Sequence, residues 1–452
     1  GEGDTVLVSA GTYFENLIWP NTNGIKLIGI GDTTNTIIDG SNADASVIFM
    51  YPSSDTLIDT TTLIDNFRII NGSGTPMFGF GPVGGGLLIR EAGPSLKNLY
   101  IAENTAVTGA AMMIVGSNSV LDGIIITNNV IYSGNEYGWN GHLNDIQLCS
   151  LQLNNIKIIN NAGLGVSNPR NGFQFINNEY LEFSNIFISE NHELHGLTIA
   201  YYNDSDADVS LINVEIENNY SGLSLDWRDS HLLENISIHD NDSIGLSLNF
   251  MTLADSTAEL ENLALYNNNP NLRIYMGYEA LSSTVSHLTS VNGDINSYQA
   301  EWHQLTIINS IIDLNTDHNI NFGEVGANVD ATIQYSLITT GWEGEGNIDG
   351  DPLFCNPDSG DFTLAENSPC VGTGENGVNM GAFGVGCGPY NFTPTEFSLS
   401  APSNNTQITI DESNMNTGHI TFSWGTSSDQ NGDSLYYLMR ATSAEIGDHG
   451  MD

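Results

Sequence analysis

A short phrase recurs along the chain and dictates its architecture: an asparagine, then apolar-x-apolar, with a second asparagine six positions after the first. It reads Asn98-Leu-Tyr-Ile-Ala-Glu-Asn104, Asn155-Ile-Lys-Ile-Ile-Asn-Asn161, Asn185-Ile-Phe-Ile-Ser-Glu-Asn191 and Asn213-Val-Glu-Ile-Glu-Asn-Asn219. It continues as Asn235-Ile-Ser-Ile-His-Asp-Asn241, Asn262-Leu-Ala-Leu-Tyr-Asn-Asn268 and Asn309-Ser-Ile-Ile-Asp-Leu-Asn315, with a glycine variant at Gly123–Asn129 and a shorter one at Asn66–Asn71. Successive first positions from 66 to 262 are 32, 25, 32, 30, 28, 22 and 27 residues apart, and the next step, to 309, is 47, or two units. Such a near-period marks a repeat array. Alternation of apolar and polar residues gives strands with one buried face, which become stable only when each unit stacks on the next.

The reading is an all-β, right-handed, single-stranded parallel β-helix of roughly 10–13 coils. A second strand follows glycine in several coils: Gly172-Phe-Gln-Phe, Gly196-Leu-Thr-Ile, Gly222-Leu-Ser-Leu and Gly245-Leu-Ser-Leu. Asparagine at the strand end tolerates the left-handed conformation and bonds neighbouring backbone. Asn104, Asn129, Asn161, Asn191, Asn219, Asn241, Asn268 and Asn315 are therefore expected to stack as one ladder of side-chain amides.

Charge narrows the partners. Nine Lys+Arg stand against 54 Asp+Glu, a formal net charge of −45. Such a field repels nucleic acid and anionic membrane surfaces, and no stretch is apolar enough to insert in a bilayer. It also disfavours polyanionic glycans unless cations bridge them. Gly1 runs directly into strand-like sequence, so the expectation is a trimmed piece of a secreted protein. Cys149 lies in an apolar run and reads as a buried thiol. Cys355, Cys370 and Cys387 fall within 33 residues, and an oxidising compartment would pair two of them. Spacing leaves the connectivity open; Cys355 with Cys387 is the expected pair.

The opening residues Gly3-Asp4-Thr5-Val6-Leu7-Val8-Ser9-Ala10-Gly11-Thr12-Tyr13, with Ile25–Gly29 and Thr36–Gly40, resemble the first coils of secreted β-helix proteins of the pectate-lyase-like superfamily. Gly346–Phe354, Gly360–Leu364, Ser368–Cys370 and Met380–Gly384 resemble the closing coil of bacterial secreted β-helix repeat proteins. Ile420–Trp424 and Leu435–Leu438 resemble the first strands of an immunoglobulin-like or fibronectin type III-like sandwich, of which only part remains. The expected divisions are 1–340 (β-helix), 341–390 (closing coil) and 391–452 (partial sandwich). These resemblances imply an extracellular or cell-surface location and leave the reaction unassigned.

Four sets of residues carry the functional expectations. Strand alternation turns Glu217 and His239 outward on adjacent coils, with Asp226 and Arg228 outward on the second strand; together they are the candidate acid–base patch. A solvated acidic face is the commoner role for such carboxylates. Arg228 sits among carboxylates, where an ion pair that orders a turn is the simpler role. Tyr201, Trp227 and Phe250 fall at equivalent positions and point inward, whereas Tyr202, Tyr220 and Trp139 are the aromatic residues expected to meet a glycan. Asp429-Gln430-Asn431-Gly432-Asp433 resembles acidic Ca²⁺ loops, with Asp429, Asn431 and Asp433 as ligands, and Asp204-Ser205-Asp206-Ala207-Asp208 alternates carboxylates similarly. No motif for an organic cofactor is present.

Two functions follow. One is a secreted structural or adhesive module that presents or binds a polysaccharide or other cell-surface glycan. The other is a polysaccharide-active enzyme, either a carboxylate-based hydrolase or a calcium-dependent lyase. Self-association through unpaired strand edges at the end of the stack is a further expectation.

Overall fold

A computed structural model describes residues 1–438 apart from 54, 78–80, 133–141, 165–169, 203–207, 228–229, 251–256, 277–281, 300–303, 316, 323–329, 404–405, 408, 410–411, 414–418 and 420. The architecture is a parallel β-solenoid of about twelve coils, as the repeat requires. One wall is a 12-stranded parallel sheet running from Leu17–Ile18 to Ile320–Phe322, and the opposing wall is a 17-stranded sheet. Pairing is in register, so equivalent residues form columns. Ile186, Val214, Ile236, Leu263 and Leu288 follow one another in the second wall. Leu197, Leu223, Leu246, Leu272 and Ile295 do so in the first. These columns belong to one continuous apolar core.

The strands of the 17-stranded wall are longer than the phrase suggests, because the first asparagine lies inside them. Asn98, Asn155, Asn185, Asn213, Asn235 and Asn262 all take positive φ, between 48° and 58°. Each turns a corner within a strand and resets its alternation. In Asp208–Glu217 the buried residues are Val209 and Leu211 before Asn213, then Val214 and Ile216 after it. The corner side chains form an outer chain of amides: Asn235 Nδ2 donates to Asn213 Oδ1 at 3.1 Å, and Asn213 Nδ2 to Asn185 Oδ1 at 3.2 Å. His287 fills the corner between Asn262 and Asn309, which accounts for the doubled interval.

The second asparagines form the inner ladder. Each Oδ1 accepts from both the backbone N–H and the Nδ2 of the preceding rung, from Asn104 through Asn129, Asn161, Asn191, Asn219 and Asn241 to Asn268. Two expectations need correction. The left-handed residue is not the rung but the one before it: Glu103, Asn128, Asn160, Glu190, Asn218, Asp240 and Asn267 have φ between 51° and 57°. That placement leaves the rung's own backbone free to turn its amide inward. Nor is Asn315 a rung. The coil after Asn268 has Gly293 at this position, where a Cβ would lie 2.3 Å from Asn271 Cγ. Asn271 closes the ladder instead, accepting from Asn268 N and Nδ2 at 3.0 and 3.1 Å. Asn315 is exposed and donates to Asn292 Oδ1 at 3.3 Å.

Residues 354–387 form a three-stranded sheet: Phe354–Asn356, Asp361–Ala365 and Val385–Cys387, stapled by the Cys355–Cys387 disulfide. Cys149 and Cys370 are free and buried. This closing segment lies against the outer face of the 17-stranded wall. Phe354, Phe362, Leu364, Cys370 and Met380 make a second apolar cluster with Tyr266, Val291, Ile311 and Leu337. Gly381 N donates to Asn309 O at 2.7 Å, Glu375 N to Asn309 Oδ1 at 2.7 Å and Ala382 N to Thr289 Oγ1 at 2.9 Å. Beyond it, Leu399–Ala401 pairs antiparallel with Ser423–Trp424. Among the described residues no helix is long and apolar enough to cross a membrane.

Candidate functional site

The outer faces of the two walls carry different chemistry. On the 17-stranded wall, the position four residues after each corner asparagine forms a column of Glu217, His239 and Tyr266, built by pairing of consecutive strands. Glu217 and His239 are therefore neighbours, as alternation predicts. His239 Nδ1 lies 3.7 Å from Glu217 Oε2 and 2.8 Å from Asp240 Oδ2, while its Nε2 lies 3.5 Å from Glu215 Oε1. Carboxylates at both ring nitrogens suit an imidazolium that donates in two directions.

The carboxylates Glu215 and Asp240 are exposed, but the imidazole between them is not. His239 is only 6% exposed. The Tyr266 ring stacks on it with centroids 4.3 Å apart and planes 7° from parallel, and Phe362 of the closing segment covers Tyr266 at 4.6 Å. Burial opposes charge on His239, but Glu215, Asp240 and Glu217 outweigh it, so its proton is held more tightly than usual. The bond from His239 holds the Glu215 carboxyl below its ordinary range. Tyr266 was legible in the phrase, as the residue four after Asn262. The closing segment that covers it follows no repeat and gave no such signal.

On the 12-stranded wall, Asp226, Asn249, Tyr275 and Tyr298 occupy one outward column on successive coils. Asp226 is half-buried and fully engaged: Oδ1 accepts from Asn249 Nδ2 at 3.1 Å and Oδ2 from Tyr201 N at 3.0 Å. Tyr275, 41% exposed, stacks on Tyr298 with centroids 5.1 Å apart and planes 20° from parallel. The Arg273 guanidinium lies 5.8 Å from the Tyr275 ring centroid. Neither ring of this pair is among the aromatics expected from the sequence to meet a glycan; the signal for the pair was the one-coil spacing between them.

The structure brings Glu217 and His239 together and leaves Asp226 on the other wall; Arg228 and Trp139 lie outside the described residues. Tyr202 is exposed, with its backbone N–H on Asn177 Oδ1 at 2.7 Å. Tyr220 is half-buried, edge-on to His195 at 5.2 Å. Tyr201, Trp227 and Phe250 are buried, as alternation predicts. In the acidic loop, Asp429 Oδ1 accepts from Asn431 N at 2.9 Å and Asp433 N at 3.3 Å. Asn431 Oδ1 accepts from Phe392 N at 2.7 Å. These side chains fasten the turn to the preceding linker, and Asp433 is exposed. Asp204 and Asp206 lie outside the described residues; Asp208 is exposed.

No protein-family model matches the chain, and no curated protein matches it. Among solved structures, the A-module of the mannuronan C-5 epimerase AlgE6 of Azotobacter vinelandii aligns at 12% identity and TM-score 0.39, over 77% of this chain and 91% of that one. The surface protein and adhesin PfbA of Streptococcus pneumoniae aligns at 13% identity and TM-score 0.23, over 73% and 91%.

Proposed function

We propose that this chain is an extracellular β-solenoid module, structural or adhesive, that binds a polysaccharide along the outer face of its 12-stranded wall. The observation that carries this reading is the stacked pair Tyr275 and Tyr298, in one column with Asn249 and Asp226. The stacked rings on adjacent coils present an apolar rim to solvent, flanked by groups that donate and accept hydrogen bonds. A rigid solenoid keeps that arrangement without ordering a loop, which lowers the entropic cost of binding an extended chain. The Cys355–Cys387 disulfide fits an oxidising compartment. His239 itself is buried against Tyr266 while its carboxylate partners Glu215 and Asp240 are exposed, which supports a structural role for the ring over acid–base chemistry there.

Affinity electrophoresis against neutral and anionic polysaccharides, with reducing ends and unsaturated products read in parallel, tests the proposal. Retention without cleavage is expected. Tyr275→Ala combined with Tyr298→Ala is expected to weaken retention roughly tenfold, about 1.4 kcal/mol. Cleavage of any polymer would establish the enzymatic reading instead.

A further inference from the structure

We propose that His239, Glu215 and Glu217 bind a zinc-like divalent metal ion, which bridges two consecutive coils on the outer face of the 17-stranded wall. One oxygen of each glutamate and one ring nitrogen of His239 lie within 4.8 Å of one another. The glutamates come from strand Asp208–Glu217, and the histidine ends the neighbouring strand, Ser230–His239. The ligands therefore sit on different coils, and in-register pairing of the two strands fixes their spacing.

What separates this cluster from an ordinary acidic face is the histidine, more than nine-tenths buried and aimed into it. Its Nδ1 lies 2.8 Å from Asp240 Oδ2, and a carboxylate only accepts, so Nδ1 carries the hydrogen. Asp240 is itself held by Asn267 Nδ2, which donates to its Oδ1 at 2.8 Å. Nε2 is left as the ligand nitrogen, the arrangement in which an outer carboxylate orients a metal-binding imidazole. Nε2 faces Glu215 Oε1 at 3.5 Å. That exceeds the ~2.7–2.9 Å of a charge-assisted hydrogen bond. It matches the roughly 3.4 Å between nitrogen and oxygen ligands of a tetrahedral zinc with bonds of about 2.0–2.1 Å. Glu217 turns Oε2 to the ring while Ser189 Oγ donates to its Oε1 at 3.0 Å. Tyr266 stacks on the imidazole with planes 7° from parallel, so it covers a face of the ring and leaves the in-plane edge to the metal.

The donor set selects the ion. An imidazole with carboxylates suits zinc and its neighbours, whereas calcium takes oxygen ligands alone. Metal binding displaces the Nε2 proton to solvent. Two other histidines meet carboxylates, His287 with Glu261 at 3.7 Å and His318 with Asp294 at 3.4 Å, but each meets only one. Among the described residues no other group brings three metal-ligating side chains together.

Calorimetric titration of the full chain with zinc chloride, in excess calcium chloride, tests the site. Calcium occupies loosely binding surface carboxylates, of which a chain with 54 Asp+Glu has many, without competing for a nitrogen ligand. One calcium-resistant zinc per chain is expected for the wild type and none for His239→Gln. Loss of an outer partner typically weakens a metal site about 10–100-fold, and Glu215→Gln, which removes a ligand, is expected to cost at least that much. Glu215 is half-exposed and the substitution keeps its shape, so this variant decides the matter even if His239→Gln does not fold. Cobalt(II) in place of zinc is expected to give the visible bands of a tetrahedral ion, lost in Glu215→Gln. Zinc binding that calcium abolishes overturns the proposal. So does calcium-resistant binding that Glu215→Gln leaves at wild-type strength.

Discussion

Replacing one inner rung of the asparagine ladder tests whether side-chain amides hold the coils together. Asn161 is fully buried, and its amide makes five contacts. Its Oδ1 accepts from Asn129 N at 2.9 Å and Asn129 Nδ2 at 3.1 Å; its Nδ2 donates to Ile126 O, Ile159 O and Asn191 Oδ1 at 3.1, 3.0 and 2.8 Å. In Asn161→Ala, Asn129 Nδ2 keeps Ile101 O and Thr127 O, and Asn191 Oδ1 keeps Asn161 N. The group stranded is the backbone N–H of Asn129. One buried orphan donor costs about 1–3 kcal/mol, and the cavity left by the amide adds to that, for a total of about 2–4 kcal/mol.

Asn161→Asp separates this account from simple loss of volume. The aspartate fills the space and keeps an acceptor for Asn129, but it turns a second oxygen toward the three oxygens that Nδ2 now serves. Asp is therefore expected to be worse than Ala, although it is the closer isostere. The exposed corner supplies the control: Asn213→Gly keeps the left-handed backbone and loses only solvent-facing amide contacts, and is expected to cost about 1 kcal/mol or less. Urea unfolding would rank the variants, with exchange of the Asn129 amide as a local probe, since repeat arrays do not always unfold in one step. An alanine variant within about 0.5 kcal/mol of wild type, or an aspartate variant no worse than alanine, would refute the reasoning.

Three further outcomes are expected. At Gly222 a Cβ would lie 2.3 Å from both Gly245 O and Ile238 Cγ2, so Gly222→Ala is expected to cost at least about 1–3 kcal/mol in a melt, against little change for Gly388→Ala, where nothing lies within 4 Å. Burial raises Asp145, 4% exposed, to about 6 from its ordinary 3.8; ionisation thus destabilises the fold as pH rises from 3.8 through 6, and Asp145→Asn should gain about 2–3 kcal/mol at pH 7 and nothing at pH 3, read by urea unfolding at both pH values. Reducing Cys355–Cys387, which spans 32 residues of chain, should destabilise the closing segment by about 3–4 kcal/mol, and exchange at Asp361–Ala365 should rise while the solenoid core stays protected.

What the sequence made legible is whatever repeats. The coil number, the inward Tyr201, Trp227 and Phe250, and the adjacency of Glu217 and His239 all follow from counting along one phrase, because in-register parallel pairing turns equal position into spatial neighbourhood. The errors fall where the count stops. Asn315 matches the phrase, yet the rung before it is Gly293, and a ladder needs every neighbour present. The conformation of the rungs was misplaced by one residue, because asparagine suits both a left-handed corner and a buried amide stack, and composition does not separate the two. The closing segment was recognisable as a terminal element, but which face it would cover was not. Its docking depends on Phe362, Phe354, Leu364 and Met380 meeting Tyr266, Val291, Ile311 and Leu337, residues that repeat alternation assigns outward with Glu217 and His239. Elsewhere on that wall the same outward registers mix polar or charged residues, such as Lys157, Ser184, Glu215 and Ser237, with Ile125, Phe187 and Ile212. An apolar residue at an outward position therefore does not by itself mark where the solenoid is covered; a run of them on consecutive coils, Ile311 and Leu337 beside Tyr266 and Val291, does. His239 lies at the edge of that run, with carboxylates at both ring nitrogens and the Tyr266 ring stacked on its face.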